Sequence, residues 1–403
     1  MQLPKPLAKP KQRHFSTGEE ELNAIKHLHP VVQMILNHRT VAKIKSTYID
    51  SYRSFIKSGT NTIHSIFNQT STRTGRLSSC KPNVQQIPND QSITIDTTSS
   101  SRVEDNNNQL RDLQVQLGLP VDDTTNITKK TTKVDFIVRS MFTARSGTVL
   151  VSADYSQIEM RVFAYVCNDQ KLQNIFENKG DIYTILGGLL FKKPVELVTD
   201  AERQKAKVIC LGQVYGMGAD MAAAKLNISV NEAKKVFDSF FNTFHTVKEW
   251  SDMQIIKATN EGFVRTISGR RRYLPDIKSS NFMLRSAACR QAVNTIIQGS
   301  AADILKFAMI MINDNCKALV DAGHPKESIP NLLLQVHDEL IYEVPISNMD
   351  NMTKSDIMSH CQPFISIIKN CMEDKVRKVL GITVPLIANV TVGSNWGEMK
   401  EYQ

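Results

Sequence analysis

The sequence predicts a mixed α+β fold: an antiparallel sheet with acids at its strand ends, surrounded by helices. Three stretches carry that prediction. Val149-Leu150-Val151-Ser152-Ala153-Asp154 is an apolar, β-branched run that leads into an acid, and an amphipathic pattern follows from Ile158, so a buried strand ends at Asp154 and a helix begins soon after. Leu332 to Val344 reads as strand, turn, strand, with His337-Asp338-Glu339 at the turn between apolar flanks. Residues 229–262 and 284–312 carry helical apolar spacing over stretches too long for strands.

Composition sets outer bounds. A chain of 403 residues, 41% hydrophobic and 22% charged, is ordinary globular material, large enough for two or three units around a shared core. The formal charge of +9 favours a polyanionic partner, and a basic enzyme without one fits the charge equally. Seven scattered cysteines include no CxxC pair and no zinc spacing, so reduced, buried thiols of an intracellular protein are expected. No run of 18 apolar residues suggests a membrane span, and the N-terminus lacks the apolar segment of a signal peptide.

Residues 1–60 hold ten Lys/Arg against four acids, which places six of the nine net charges there. Ser16 to Glu21 resembles a helix start; a second helix after His29-Pro30 is expected to bury Val31, Ile35, Val41, Ile44 and Tyr48. Residues 61–89 read as short strands and turns around Thr74-Gly75-Arg76, whose hydroxyls and arginines suit phosphate or sugar contacts; a polar turn is the plain alternative. Residues 90–133, with runs of Ser, Thr and Asn, read as a mobile insertion with one short helix near 110–117.

A helix is expected over 181–190. Thr199-Asp200-Ala201-Glu202 then forms a capping box, and the helix it starts carries Arg203, Lys207, Leu211 and Tyr215 at steps of four, one slanting stripe. Two cations one turn apart near a helix start suit a triphosphate, and a solvated cationic edge is the alternative. Arg270-Arg271-Arg272 reads as a phosphate-facing turn or an exposed charge run. Arg290, Asn294 and Gln298 again step by four on an apolar helix, with donors suited to minor-groove acceptors. The C-terminal region is expected to add a helix and a last strand to the sheet.

Asp154 and Asp338 both lie where an apolar strand meets a loop. If the strands are neighbours, two carboxylates converge and repel, and a divalent cation resolves the conflict. With Arg203 and Lys207 nearby, the parts fit two-metal phosphoryl transfer. A lone acid at a strand end can equally be a turn or cap residue.

Asp154-Tyr155-Ser156-Gln157-Ile158-Glu159-Met160-Arg161 resembles motif A of family A DNA polymerases, Arg203 to Lys207 with Tyr215-Gly216 resembles motif B, and Gln335-Val336-His337-Asp338-Glu339-Leu340 resembles motif C. Thr74 to Ser79, Pro82 to Pro88 and Gln298 to Asp303 match too, in the family's order from about residue 13. Within the family, Arg13-His14-Phe15-Ser16-Thr17 with Leu28-His29-Pro30, Gly269 to Pro275, the insertion after Pro88 and the ending Trp396 to Lys400 most resemble the theta branch, then nu.

The resemblance implies a right-hand polymerase: a partial helical thumb over 1–60, thumb–palm connection and palm start over 61–89, a disordered insertion over 90–133, palm over 134–180, fingers over 181–283, and palm again over 284–403. It implies two Mg²⁺ ions, replaceable by Mn²⁺, on Asp154, the Tyr155 carbonyl and Asp338, with Glu339 in support. Glu159 would exclude a 2′-hydroxyl, Arg203 and Lys207 would hold the triphosphate, and Lys207 would protonate pyrophosphate. Gln157, Leu211 and Tyr215 would lie by the nucleotide; Arg76, Arg290, Asn294, Gln298 and His337 would touch DNA. Two positions depart from the family pattern: Leu211 stands where an aromatic faces the sugar, and Tyr183 where bacterial relatives carry histidine.

Primer–template DNA and dNTPs are the implied partners of a monomer, with repair partners or a helicase region not encoded in this chain. Repair by end joining and lesion bypass in the nucleus is expected, without proofreading because no exonuclease region precedes the thumb. An organellar replicative polymerase (mitochondrial), or a truncated DNA-binding scaffold with weak catalysis, is the alternative.

Overall fold

The computed structural model describes residues 16–88, 90–96, 131–178, 180–214, 216–226, 228–346 and 352–401. The chain forms two units, one of residues up to His64 with Gln86–Phe142, the other of Ser65–Gln85 with Thr143–Gln403.

In the first unit, α1 (Glu19–Ile25) follows Gly18, whose N–H donates to Ser16 Oγ at 3.2 Å. α2 (Pro30–Lys43) starts on proline, where no amide donor is lost, and the His29 ring accepts from the Val31 N–H. A wider-wound segment, Ile44–Asp50, leads into α3 (Ser51–Arg53). Val32, Ile44, Tyr48 and Tyr52 are buried, while Ile35 and Val41 are exposed, so the buried face differs from the expected one. The wide turn explains part of this, since it aligns Ile44, Tyr48 and Tyr52 at steps of four. β1 (Ile56–Lys57) and β2 (Thr62–Ile63) pair as a short ribbon.

In the second unit, β3 (Ile66–Asn68) pairs with β4 (Ser78–Cys80) around the Thr74-Gly75-Arg76 turn. Back in the first unit, β5 (Asp90–Asp96) and β6 (Thr131–Ile137) pair from Asp90↔Ile137 to Asp96↔Thr131. This corrects the expected insertion: its two ends are strands that satisfy one another's backbone groups. Residues 97–130, including the expected helix near 110–117, lie outside the described residues. Residues 134–142 fall within the first unit.

The second unit continues through β7 (Thr148–Tyr155), α4 (Ile158–Cys167), α5 (Gln170–Glu177), α6 (Ile182–Phe191), α7 (Asp200–Val214) and α8 (Ala219–Leu226). The helical stretch expected over 229–262 is made of two helices, α9 (Val230–Thr243) and α10 (His245–Glu261), because Phe244 leaves helical space (φ −119°, ψ 65°) while its side chain is buried in the core. Gly262 at φ 80° ends α10. β8 (Phe263–Arg265) and β9 (Arg271–Tyr273) form a hairpin that leads to α11 (Phe282–Asp321). At 40 residues α11 is about 60 Å long. It is apolar and long enough to cross a membrane by composition alone, yet two-thirds of its most apolar stretch is buried inside the protein, as in a core helix.

β10 (Asn331–Val336), β11 (Glu339–Pro345), α12 (Lys354–Lys369), α13 (Val376–Leu380), β12 (Ala388–Gly393) and β13 (Lys400–Glu401) complete the chain. Five strands make one antiparallel sheet in the order β10-β11-β7-β12-β13, so the strand ending near Asp154 is central. One face packs through Val149, Val151 and Ala153 into a core shared with α4 and with Val293, Ile297 and Ile304 of α11. Phe163, Phe176, Phe240 and Phe244 are fully buried, and each contributes roughly 2–3 kcal/mol by leaving water, so apolar burial is a main tie between helices and sheet. All seven cysteines are free, with Cys80 and Cys289 half-buried and the rest buried.

Candidate active site

β7 is buried on both faces from Val149 to Ala153, and Asp154 is its first exposed residue. The register sets Asp154 opposite Glu339 on one side and Asn389 on the other. The Tyr155 N–H donates to the Asp338 carbonyl at 3.2 Å, which laces the β10–β11 hairpin tip to the end of β7. The two acids are therefore on neighbouring strand ends, the arrangement on which the sequence reading was conditional. His337 makes the tip with φ 54°, and its carbonyl accepts from Gln335 Nε2 at 2.5 Å. Gln85 braces this strand end by donating to Gln335 O at 3.1 Å and Oε1 at 2.9 Å. Glu339 accepts from Ser152 Oγ at 2.5 Å and Trp396 Nε1 at 3.2 Å, and the buried Tyr155 hydroxyl donates to the Met372 carbonyl at 2.7 Å.

Arg76 joins the acids of two elements. Its Nη2 is 2.6 Å from Glu159 Oε1 on α4 and 3.5 Å from Asp338 Oδ1. Burial pushes the Asp338 carboxyl up, against the pull of Arg76 and with the help of Glu159, to about 6. The turn that presents Arg76 is clamped from behind. Arg270 donates to Thr74 O at 2.6 Å, Gly299 O at 3.1 Å and Asp303 Oδ1 at 2.9 Å. Gly75 has φ +83°, and a Cβ there would lie 2.5 Å from Arg270 Cζ, so both conformation and space demand glycine. Neither expected reading of the arginine run holds for Arg270 and Arg272, which bind protein instead. Arg272 donates to Thr295 Oγ1 at 2.5 Å and Gln291 Oε1 at 2.9 Å, while Arg271 stacks over Phe263 at 5.0 Å.

A second corner forms where α6 meets α7. The Thr199–Glu202 capping box is present, with reciprocal bonds of 2.9 and 3.4 Å. Arg203 Nε donates to Asp181 Oδ2 at 2.6 Å and Nη2 to Oδ1 at 3.3 Å. Burial pushes the Asp181 carboxyl up, but the hydrogen bonds and charge of Arg203 and the bonds from Thr184 outweigh it and hold it below the ordinary range. Gln157 Nε2 donates to Asp181 Oδ1 at 2.9 Å. Arg203 and Lys207 both lie over the buried Tyr183 ring, at 5.5 and 5.7 Å. Leu211 packs against the core, and Tyr215 lies outside the described residues.

Beyond α7, Gly216 at φ +66° lets the backbone approach Arg290, whose Cγ would be 2.6 Å from a Cβ. Arg290 Nη1 donates to Ser286 Oγ at 2.7 Å, and Asn294 and Gln298 are half-buried. Two buried amide oxygens, Gln157 Oε1 and Asn294 Oδ1, have no hydrogen-bond partner among the described residues. Buried polar atoms left in this way call for a donor from solvent or ligand.

Among the described residues no group of three His, Cys, Asp or Glu side chains converges on one point. Asp154 and Asp338 supply two hard carboxylates, and a small divalent cation that keeps waters and phosphate oxygens fits so lean a donor set. Sequence reasoning gave no site role to Asp181 or Gln85, and it gave Arg270 a different one. Asp181 carried a signal, since Asp181-x-x-Thr184 before an apolar run is a helix-capping pattern. The other two act through pairings across long sequence separations, which spacing cannot show.

The sequence model of DNA polymerase family A matches residues 1–398. The chain is 33% identical over 386 residues to the thermostable DNA polymerase I of Thermus filiformis, covering 96% of this chain and 38% of that protein. It is 35% identical over 401 residues to DNA polymerase I of Streptococcus pneumoniae serotype 4, covering 99% of this chain and 38% of that protein. The POL domain of Pol1 from M. smegmatis, solved in complex with DNA primer-template and dNTP, superposes with a TM-score of 0.74 at 31% identity, covering 98% of this chain and 59% of that one. The chain thus spans less than two-fifths of the length of these curated relatives. Ordered motifs, strand-end acids and near-complete coverage agree: this chain belongs to DNA polymerase family A.

Proposed function

We propose that the chain is a DNA-templated DNA polymerase region, which extends a primer 3′ end with dNTPs. One observation carries this reading. Two hydrogen-bond and ion-pair chains meet at the start of α4: one runs from Asp338 through Arg76 to Glu159, the other from Gln157 through Asp181 to Arg203. Acids suited to a cation and cations suited to a triphosphate are thereby both tied to the first turn of one helix.

In this reading the primer 3′-hydroxyl releases its proton to water and its oxygen attacks the α-phosphorus of the dNTP, while the bond to pyrophosphate breaks. Arg203 and Lys207 bind the triphosphate, and Lys207 Nζ gives a proton to the departing pyrophosphate. Glu159, held by Arg76, closes the space a 2′-hydroxyl needs. Arg76, Arg290, Asn294, Gln298 and His337 orient the primer terminus and duplex. Asp154 and Asp338, with the Tyr155 carbonyl, would hold Mg²⁺, which when bound supplies Lewis-acid stabilisation of the reacting oxygens. The sheet then serves as palm, residues 181–283 as fingers and residues 1–60 as a partial thumb.

The finer assignment, to a theta-like or nu-like branch acting in nuclear end joining and lesion bypass as a monomer, is supported by the residue motifs at 13–17, 28–30 and 269–275. Primer extension with Mg²⁺ tests the whole reading: wild type extends and Asp338→Asn does not. Extension that survives in Asp338→Asn sinks the acid assignment.

A further inference from the structure

Asp181 has more partners than a helix cap needs. As the cap of α6, its carboxylate accepts from the Thr184 N–H at 3.1 Å and from the Thr184 hydroxyl. That role is complete without Gln157 or Arg203. Yet Oδ1 also takes Gln157 Nε2 at 2.9 Å, and the two oxygens together take Arg203 Nε and Nη2. The side-on grip leaves Arg203 Nη1 with no partner among the described residues. Below, the Tyr183 ring supports both Arg203 and Lys207, and the half-buried Lys207 ammonium has no carboxylate partner among the described residues.

We propose that Asp181 is a positioning residue: with the Tyr183 ring beneath, its carboxylate fixes the guanidinium of Arg203 beside the ammonium of Lys207, so that the two present one edge to the nucleotide triphosphate. A pairing through Nε and Nη2 fixes the guanidinium plane and turns the remaining donors outward, where a second planar contact can form. The ring adds a flat support that neither orients by hydrogen bond nor competes for the anion. Gln157 ties the same carboxylate to the start of α4, so the nucleotide edge is referenced to the strand end that carries Asp154.

The inference rests on the polymerase reading only for the identity of the anion, so it is tested twice. The first measurement is calorimetric affinity for inorganic tripolyphosphate, without DNA; the second is steady-state primer extension. Asp181→Asn and Asp181→Ser both keep a good helix cap and remove the carboxylate. Each is expected to weaken tripolyphosphate about tenfold and to raise the dNTP KM by the same factor, with kcat within about threefold and primer–template affinity unchanged. Asp181→Glu restores part of the loss. In an Arg203→Ala background, Asp181→Asn adds less than about twofold, because the two act as one unit.

Unchanged tripolyphosphate affinity and unchanged dNTP KM in both variants overturn the proposal. So does an equal loss of primer–template affinity, which marks a general structural role. Should wild type bind tripolyphosphate in an Asp181-dependent way yet fail to extend primers, the positioning role stands and the polymerase reading falls.

Discussion

Asp338 and Asp181 each sit beside an arginine, and they respond in opposite ways. Asp338 lies at the hairpin tip, 3.5 Å from an Arg76 that is already bonded to Glu159 at 2.6 Å. Arg76 is shared, Glu159 adds like charge, and burial dominates, so the carboxyl is held up near 6. Asp181 has the guanidinium of Arg203 side-on and two further bonds from Thr184, and its carboxyl is held low. The difference teaches that proximity of a cation is not enough. Direct, charge-assisted hydrogen bonds stabilise a carboxylate, and a partner committed elsewhere does not. An acid left dissatisfied in this way is poised for a cation, while a satisfied one suits a structural post.

The sharpest way to break the comparison is to remove each acid. Asp338→Asn is expected to lower kcat roughly a thousandfold in single-turnover primer extension, against a mainly KM-level loss at Asp181; equal kcat losses would erase the distinction. Arg76→Ala comes next. It releases Glu159 and Asp338 together and should cost about a hundredfold in kcat/KM, measured on matched primer–templates. Glu159→Ala should lower discrimination against ribonucleotides by about tenfold to a hundredfold, read as the ratio of dNTP to NTP incorporation; unchanged discrimination removes its role at the sugar.

The smallest effect concerns pH. Asp338 has a folded value near 6 against an ordinary 3.8, so between those values the folded state keeps a proton that the unfolded state has lost. Metal-free stability therefore falls as pH rises through that window. Asp338→Asn removes the fall and should gain on the order of 1–2 kcal/mol above pH 6, discounted because the side chain is 29% exposed. Asp181 works in the other direction, adding stability above the ordinary carboxylate range that is lost in acid. Urea titrations of both variants from pH 3 to 8 check the two signs. Mg²⁺ affinity should rise with pH up to about 6 as the ion displaces the Asp338 proton.

Local chemistry made much of this legible in advance. The buried run before Asp154, the hairpin around Asp338 and the capping box at Thr199 are encoded in adjacent residues, and the structure places them so. The β5–β6 ribbon was hidden because its strands flank a polar stretch and only their pairing identifies them. The break at Phe244 was hidden because the apolar spacing continues through it. Arg270 reads as part of a phosphate-facing turn or an exposed charge run, since nothing near it in sequence announces Asp303 or the carbonyl of Thr74. In the candidate site, the placement of Arg203 beside Lys207 follows from their spacing on one helix, whereas the pairing of Arg76 with Glu159 across elements has no local signal.

The central place of β7 has a consequence for how this chain tolerates change. Hydrogen-bonded on both sides, the strand has no edge along which to slide. Losing one residue between Thr148 and Ala153 would turn every later side chain to the opposite face, so Asp154 would move into the buried position of Ala153 and Tyr155 would take its place. Substitutions in that strand can be graded by size, but deletions cannot. Natural length variation in relatives should therefore gather in the connections between strands and stop at the borders of Thr148–Tyr155.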